Sequence, residues 1–365
     1  MRHPALSILI LEDRANPVVL SQTTGMAVGE DTFSNRNAIY TDTTGIRTRT
    51  GDPTLAGPSA SMFKSDGTFE QSFALGSEFS GGVRVARADF NNDGKDDLLV
   101  GNGPGVPARV RVYDGNTRAL LIALRPFEES FTGGVFVSAG DLNGDLRADL
   151  VITPDEGGGP RVRAFSGATF APFLDFLGIE DPNFRGGART AVGDITGDSF
   201  PDLIVAAGFG GGPRIAGWDA SLRTGTALTR HAFPDFYAFE QTLRNGVYVA
   251  AGDVNADGIA EVMVGAGPGG APRVRIFNGR ELLVNRQSTL SDFFVGDLAN
   301  RGGIRVAAKD IDGDFQADLV TGDAPPAGVT VITYAGKNIG LGNTVSIKSF
   351  EAFGTGSFAD GVFVG

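Results

Sequence analysis

The chain has 365 residues with 54 glycines, 27 phenylalanines, no cysteine and a formal charge of −12. The missing cysteine excludes disulfides and thiolate metal sites, and two histidines, His3 and His231, leave little for a zinc centre or a Ser-His-Asp triad. The acidity argues against a nucleic-acid or anionic-membrane surface, and no apolar run approaches the length of a membrane span.

The N-terminal "MRHPALSILILEDRANPVVL" has a basic residue, Arg2, and a short apolar run, followed by "EDR" where a signal peptide would carry small residues. It reads either as a targeting segment or as a terminal strand. Residues 1–40 are therefore set apart as an N-terminal segment, with a repeat region over 41–365. Residues 44–67, "TGIRTRTGDPTLAGPSASMFKSDG", resemble the middle of a repeat unit: a strand, a Gly/Pro tract, a strand and a turn.

From residue 81 the repeat is explicit. A glycine pair or its equivalent opens "GGVRVARADF" at 81, "GGVFVSAGDL" at 133, "GGARTAVGDI" at 186, "NGVYVAAGDV" at 245 and "GGIRVAAKDI" at 302, and a partial copy, "DGVFVG", follows at 360. The period is 52–59 residues. Each unit predicts an alternating strand, an acidic loop, an apolar strand, a Gly/Pro tract, a second alternating strand, a "DG" or "SG" turn and a fourth strand. Four short antiparallel strands at this period specify a β-propeller blade, because a solenoid needs a shorter and more regular repeat. The expected fold is all-β: a six-bladed propeller of four-stranded antiparallel blades, the sixth closed by N- and C-terminal strands, which removes exposed sheet edges. A seven-bladed propeller, a truncated propeller or a fragment of a longer array are the alternatives.

The five acidic loops align over nine positions. In the first, Asp89, Asn91, Asp93 and Asp97 carry oxygen at positions 1, 3, 5 and 9. Asp141, Asn143, Asp145 and Asp149 do so in the second, and Asp194, Thr196, Asp198 and Asp202 in the third. Asp253, Asn255, Asp257 and Glu261 form the fourth set, and Asp310, Asp312, Asp314 and Asp318 the fifth. Alternate side chains in a tight loop can point at one centre, and the position-7 carbonyl of Lys95, Arg147, Phe200, Ile259 or Gln316 can join them. Calcium wants six to eight oxygens at about 2.3–2.6 Å in a flexible cage, whereas magnesium demands near-ideal octahedral geometry. Transition metals favour nitrogen or sulfur ligands, which these loops lack. About five Ca²⁺ sites, one per loop, are expected. Asp, Asn and Gly are also good turn formers, but five loops in one phase of a repeat exceed what turn chemistry requires. The third loop is the weakest by sequence, with Thr196 at position 3 and Pro201 beside its last candidate ligand.

The loop pattern and the following "GAGPGGAPRVRIF" resemble the FG-GAP repeat of integrin α-subunit propellers and of many bacterial surface proteins, over roughly residues 44–365. The resemblance implies a calcium-stabilised, extracytoplasmic propeller whose ligands occupy the loop positions above. Where the family often has glycine at positions 4 and 6, each loop here keeps one: Gly94 and Gly258 at position 6, Gly144, Gly197 and Gly313 at position 4. "LEDRANP" also resembles a segment near the start of large bacterial surface proteins with such repeats.

Arg109 and Arg111, Arg161 and Arg163, Arg214, and Arg273 and Arg275 recur on the third strand, each pair on one face. They either face a polyanionic or carboxylate ligand or pair with neighbouring acids, the simpler reading. Trp218, Phe136, Tyr248 and Phe363 suit blade packing better than a sugar platform. The Gly-rich tracts lack the Lys-Ser/Thr of a phosphate loop. The sequence thus leads to a non-enzymatic adhesion or recognition scaffold at the cell surface or outside the cell. Its partner would be an unidentified protein or glycan, not nucleic acid, and it would be monomeric or part of a larger surface protein. A carbohydrate-binding lectin and a polysaccharide lyase or hydrolase are the alternatives, the last requiring an acid/base cluster outside the loops.

Overall fold

The computed structural model describes residues 25–30 as a backbone strand, together with residues 59–76, 79, 81–324, 330–352 and 362–365. Five blades are each cut from consecutive chain. The first contains β4 (Val83–Ala88), β5 (Asp97–Asn102), β6 (Val110–Tyr113) and β7 (Leu120–Leu124), and the second β8 (Val135–Gly140), β9 (Asp149–Pro154), β10 (Arg161–Phe165) and β11 (Pro172–Leu177). The third uses β12 (Ala188–Gly193), β13 (Asp202–Ala207), β14 (Arg214–Trp218) and β17 (His231–Tyr237), with a small hairpin, β15 (Arg223–Thr224) and β16 (Ala227–Leu228), inserted before its last strand. The fourth has β18 (Val247–Gly252), β19 (Glu261–Ala266), β20 (Arg273–Phe277) and β21 (Thr289–Phe294), and the fifth β22 (Ile304–Lys309), β23 (Asp318–Asp323), β24 (Thr330–Tyr334) and β25 (Lys348–Glu351).

A further four-stranded sheet is composite. Its order is β26 (Val362–Val364), β1 (Gly25–Glu30), β2 (Ser59–Lys64) and β3 (Phe69–Ala74), all antiparallel. Strand β1 lies before residue 41, where the repeat region was expected to begin, and the strand expected within 44–50 falls outside the described residues. The turn after the third strand also departs from expectation in two blades. It opens into single helical turns, α1 (Gly279–Leu283) and α2 (Gly336–Ile339). In α1 the Asn278 side chain accepts from the Glu281 N–H and caps the turn.

The packing follows from burial. The second strand of every contiguous blade is buried along its whole length, whereas fourth strands such as β7 are mostly exposed or half-buried. Sheets pressed between two neighbours bury both faces of their central strands. Each apolar cluster accordingly spans two or more sheets. Leu142, Val151, Val162 and Leu174 of the second blade meet Leu203, Val205 and Trp218 of the third. The composite sheet is sandwiched likewise, with Phe63, Val362 and Val364 against Ile311 and Val320 on one side and Ala60, Met62 and Phe73 against Val83 and Leu98 on the other. The first strands β4, β8, β12, β18 and β22 touch in sequence, and β26 touches both β22 and β4.

Main-chain hydrogen bonds make joints at one end of the blades. The N–H of Gly103 donates to the Gly82 carbonyl at 2.8 Å, and Gly208 to Gly187 at 3.1 Å. Between blades, Gly187 donates to Gly158, Gly246 to Gly211 and Gly303 to Gly270 at 3.0–3.2 Å. A Cβ on Gly103 would lie 1.7 Å from the Gly81 oxygen, so only glycine allows this approach.

Candidate functional site

At the opposite end, register fixes the acidic loops. The residue before each loop pairs with the residue at position 9: Ala88 with Asp97, Gly140 with Asp149, Gly193 with Asp202, Gly252 with Glu261 and Lys309 with Asp318. Between these anchors all five loops take one backbone path. Positions 4 and 6 have positive φ in every loop, whichever residue stands there. Where glycine is lacking, the left-handed residues are Asn92, Leu146, Ser199, Ala256 and Phe315, with φ between 58° and 66°. Such a conformation costs a non-glycine residue about 1–2 kcal/mol.

Position 1 folds the loop around itself. Asp141 Oδ1 accepts from the N–H of Asn143, Gly144 and Asp145, and its Oδ2 from Leu146. Asp89, Asp194, Asp253 and Asp310 repeat the arrangement with the N–H groups of positions 3 to 6 in varying number. The position-5 acid accepts from the position-7 N–H in each loop, from Lys95, Arg147, Phe200, Ile259 and Gln316 in turn. At the fifth loop, Asp310, Asp312 and Asp314 each bring a carboxylate oxygen within 4.8 Å of the others. Among the described residues this is the one group of three acids or histidines so arranged. In the other loops position 3 is Asn91, Asn143, Thr196 or Asn255, so the corresponding trio carries two carboxylates and a neutral oxygen. Every donor atom here is a hard oxygen, which suits calcium and not a soft metal.

Two loops have a basic side chain on these oxygens. Lys337 Nζ lies 3.0 Å from Asp312 Oδ2 and 2.7 Å from Asp314 Oδ2. Arg280 Nε contacts Asp257 Oδ2 at 3.1 Å. Both bases come from the single helical turns, whose nearness to the loops was not visible in the sequence.

Position 9 behaves differently from the rest. Asp97 is fully buried; its Oδ2 accepts from the Phe90 N–H at 3.0 Å and its Oδ1 from Gly115 at 3.0 Å. Asp149 joins Leu142 to Gly167, Asp202 joins Ile195 to Ala220, and Asp318 joins Ile311 to Gly336. Glu261 accepts from Val254 and from the Asn255 side chain. This carboxylate staples the loop to the turn after the third strand. Burial pushes its pKa up against those hydrogen bonds, to about 7 at Asp97, Asp149 and Asp202, about 8 at Glu261 and about 6 at Asp318.

Neighbouring loops are also joined, a feature sequence reasoning missed. The Ala260 N–H donates to the Asp194 carbonyl at 2.6 Å and the Ala317 N–H to Asp253 at 2.8 Å. The position-7 side chains Phe200 and Ile259 cover Gly144 and Gly197 of the preceding loop. A pit of about 510 Å³ opens within this ring of loops, walled by Val85, Val137, Thr190, Val249, Val306 and Val364 and rimmed by Asp89, Asp141 and Leu146.

The third-strand arginines pair with acids. Arg161 holds Asp175 in a fork at 2.6 and 2.7 Å and reaches Glu128 of the preceding blade. Arg273 does the same with Asp292 and Glu240, Arg214 meets Asp235, and Arg109 meets Glu129. Trp218 is buried and donates to the Gly178 carbonyl.

Four-stranded blades stacked face to face, each of the five contiguous ones with an acidic loop between its first two strands, define a repeat-built β-propeller. The repeat itself is the FG-GAP repeat: residues 89–152 match the FG-GAP-like repeat and residues 186–217 the FG-GAP repeat. The chain thus carries FG-GAP-type repeats within a β-propeller. Among solved structures it is similar to the Dos1 propeller, at 13% identity over 84% of this chain and 72% of that one, with a TM-score of 0.45. It is also similar to the V. cholerae biofilm matrix protein Bap1, at 17% identity over 74% of this chain and 39% of Bap1, with a TM-score of 0.35. No helix among the described residues is long and apolar enough to cross a membrane.

Proposed function

We propose that this protein is a calcium-stabilised, extracytoplasmic recognition or adhesion scaffold without enzymatic activity. In this reading the propeller has six blades, with the composite sheet as the sixth. The observation that carries the metal assignment is the constancy of the loop path: positions 4 and 6 are left-handed in all five loops even where Leu146 or Phe315 must bear the strain. A backbone held in one costly shape around oxygen side chains is what a shared cation would require. Positions 1, 3 and 5, with the position-7 carbonyl, would supply the first ligands, and position 9 would hold the loop in place. The ion would neutralise carboxylates crowded at one end of the ring, and the rigid loops would present the surface that meets a protein or glycan.

Thermal melting in chelator, followed by titration with Ca²⁺ or Mg²⁺, tests the assignment. The melting temperature should rise with Ca²⁺ concentration as mass action dictates, and more than with Mg²⁺. Equal responses to the two ions, or no response, would refute it.

A further inference from the structure

The second residues of the six first strands meet on the ring axis and alternate in type: Arg84, Phe136, Arg189, Tyr248, Arg305 and Phe363. The three aromatic rings contact one another edge-on, with centroids 5.8–6.3 Å apart. Each guanidinium lies over the two rings beside it, at 4.7 and 5.2 Å for Arg84, 4.1 and 5.1 Å for Arg189, and 4.8 and 5.4 Å for Arg305. The three arginines are only 3–5% exposed.

Three buried cations need counter-charge, because an arginine does not shed its proton and an unpaired buried ion is costly. Arg84 has it, in a buried pair with Asp155 at 2.9 Å. Arg305 lies in the field of Asp323, whose backbone carbonyl accepts from it at 3.2 Å. Arg189 differs. Its Nη1 donates to the Val247 carbonyl at 3.0 Å, its Nε, like that of Arg84, makes no hydrogen bond, and what sets it apart is that no carboxylate among the described residues lies within ion-pair distance. The flanking rings Phe136 and Tyr248 take the faces of the guanidinium, but its in-plane N–H groups point elsewhere.

We propose that Arg189 binds a small monovalent inorganic anion of halide type on the propeller axis. Arg84 and Arg305 each interact with an acid, Asp155 and Asp323, whereas Arg189 has none among the described residues within ion-pair distance, and its buried donors are left for an anion. The 5% exposure of Arg189 restricts the ligand to a small ion rather than the carboxylate of a macromolecule.

The test uses the full chain in saturating calcium gluconate, with chloride or bromide exchanged for gluconate at fixed ionic strength. The wild type should melt at progressively higher temperature as halide increases, and the neutral variant Arg189→Met should show no halide dependence. Independently of that variant's folding, wild-type crystals grown in bromide should give an anomalous peak within hydrogen-bond distance of the Arg189 guanidinium. Melting that follows ionic strength alone, a halide response undiminished in Arg189→Met, or bromide crystals without a peak at Arg189 would each overturn the proposal.

Discussion

The two ends of the blades are organised by opposite means. At the glycine end, main chain meets main chain: Gly187, Gly246 and Gly303 each donate directly to a glycine carbonyl of the preceding blade. At the acidic end, side-chain carboxylates organise the backbone, and one of them per loop is buried beneath it. The first kind of joint depends on the space a missing Cβ leaves and is indifferent to ions or pH. The second places charge where desolvation opposes it, so its strength follows the solution.

The largest effect should come from breaking the glycine end. Gly103→Ala is predicted to destabilise by ~4 kcal/mol or to abolish folding, since the added carbon would overlap a backbone oxygen that cannot turn aside. Urea denaturation should show the same loss with Ca²⁺ or chelator present.

Next comes a pair within the first acidic loop. Asp97→Ala leaves two buried N–H groups unpaired and is expected to cost ~3 kcal/mol in either condition. Asp93→Ala, at position 5, is expected to change stability in chelator by only ~0.5 kcal/mol, because the site is exposed, while reducing the gain on adding Ca²⁺. Equal calcium dependence of the two losses would erase the distinction between staple and ligand.

A graded effect is expected from pH. In chelator the native protein retains protons on the position-9 carboxyls up to about pH 7, whereas unfolded carboxyls lose theirs near pH 4. The folded state binds more protons across that window, so stability must fall as pH rises from 5 to 8. Bound Ca²⁺ should flatten the slope, which melting curves at several pH values in the two conditions would show. Phe315→Gly should stabilise the chelated protein by ~1 kcal/mol by removing left-handed strain.

Much of this architecture is legible in the chain because each blade spells out the same strands, glycines and loop oxygens. The loop boundaries and all five position-9 acids fall where their spacing places them. What is not legible depends on neighbours distant in sequence. Strand β1 carries no acidic repeat motif in its sequence to mark it, and its identity comes from pairing with β2 and β26. The helical turns that bring Lys337 and Arg280 to the loops replace the turns that the first and second blades make over residues 114–119 and 166–171. Position 9 reads as a ligand in the linear pattern, and its burial beneath the loop cannot be read there. Phe136, Tyr248 and Phe363 are recognisable as packing residues, but their alternation with Arg84, Arg189 and Arg305 shows only when strands more than fifty residues apart are set side by side.

That alternation sets the unit from which such a ring can be copied. Six identical blades would crowd six guanidiniums, or six aromatic rings, onto one axis, and neither set satisfies itself. Adjacent blades must differ, one offering charge and the next a π-face. Other details keep the same two-beat rhythm: the Arg161–Asp175–Glu128 clasp of the second blade recurs in the fourth as Arg273–Asp292–Glu240. An engineer who multiplies a single blade should expect the axis to fail first.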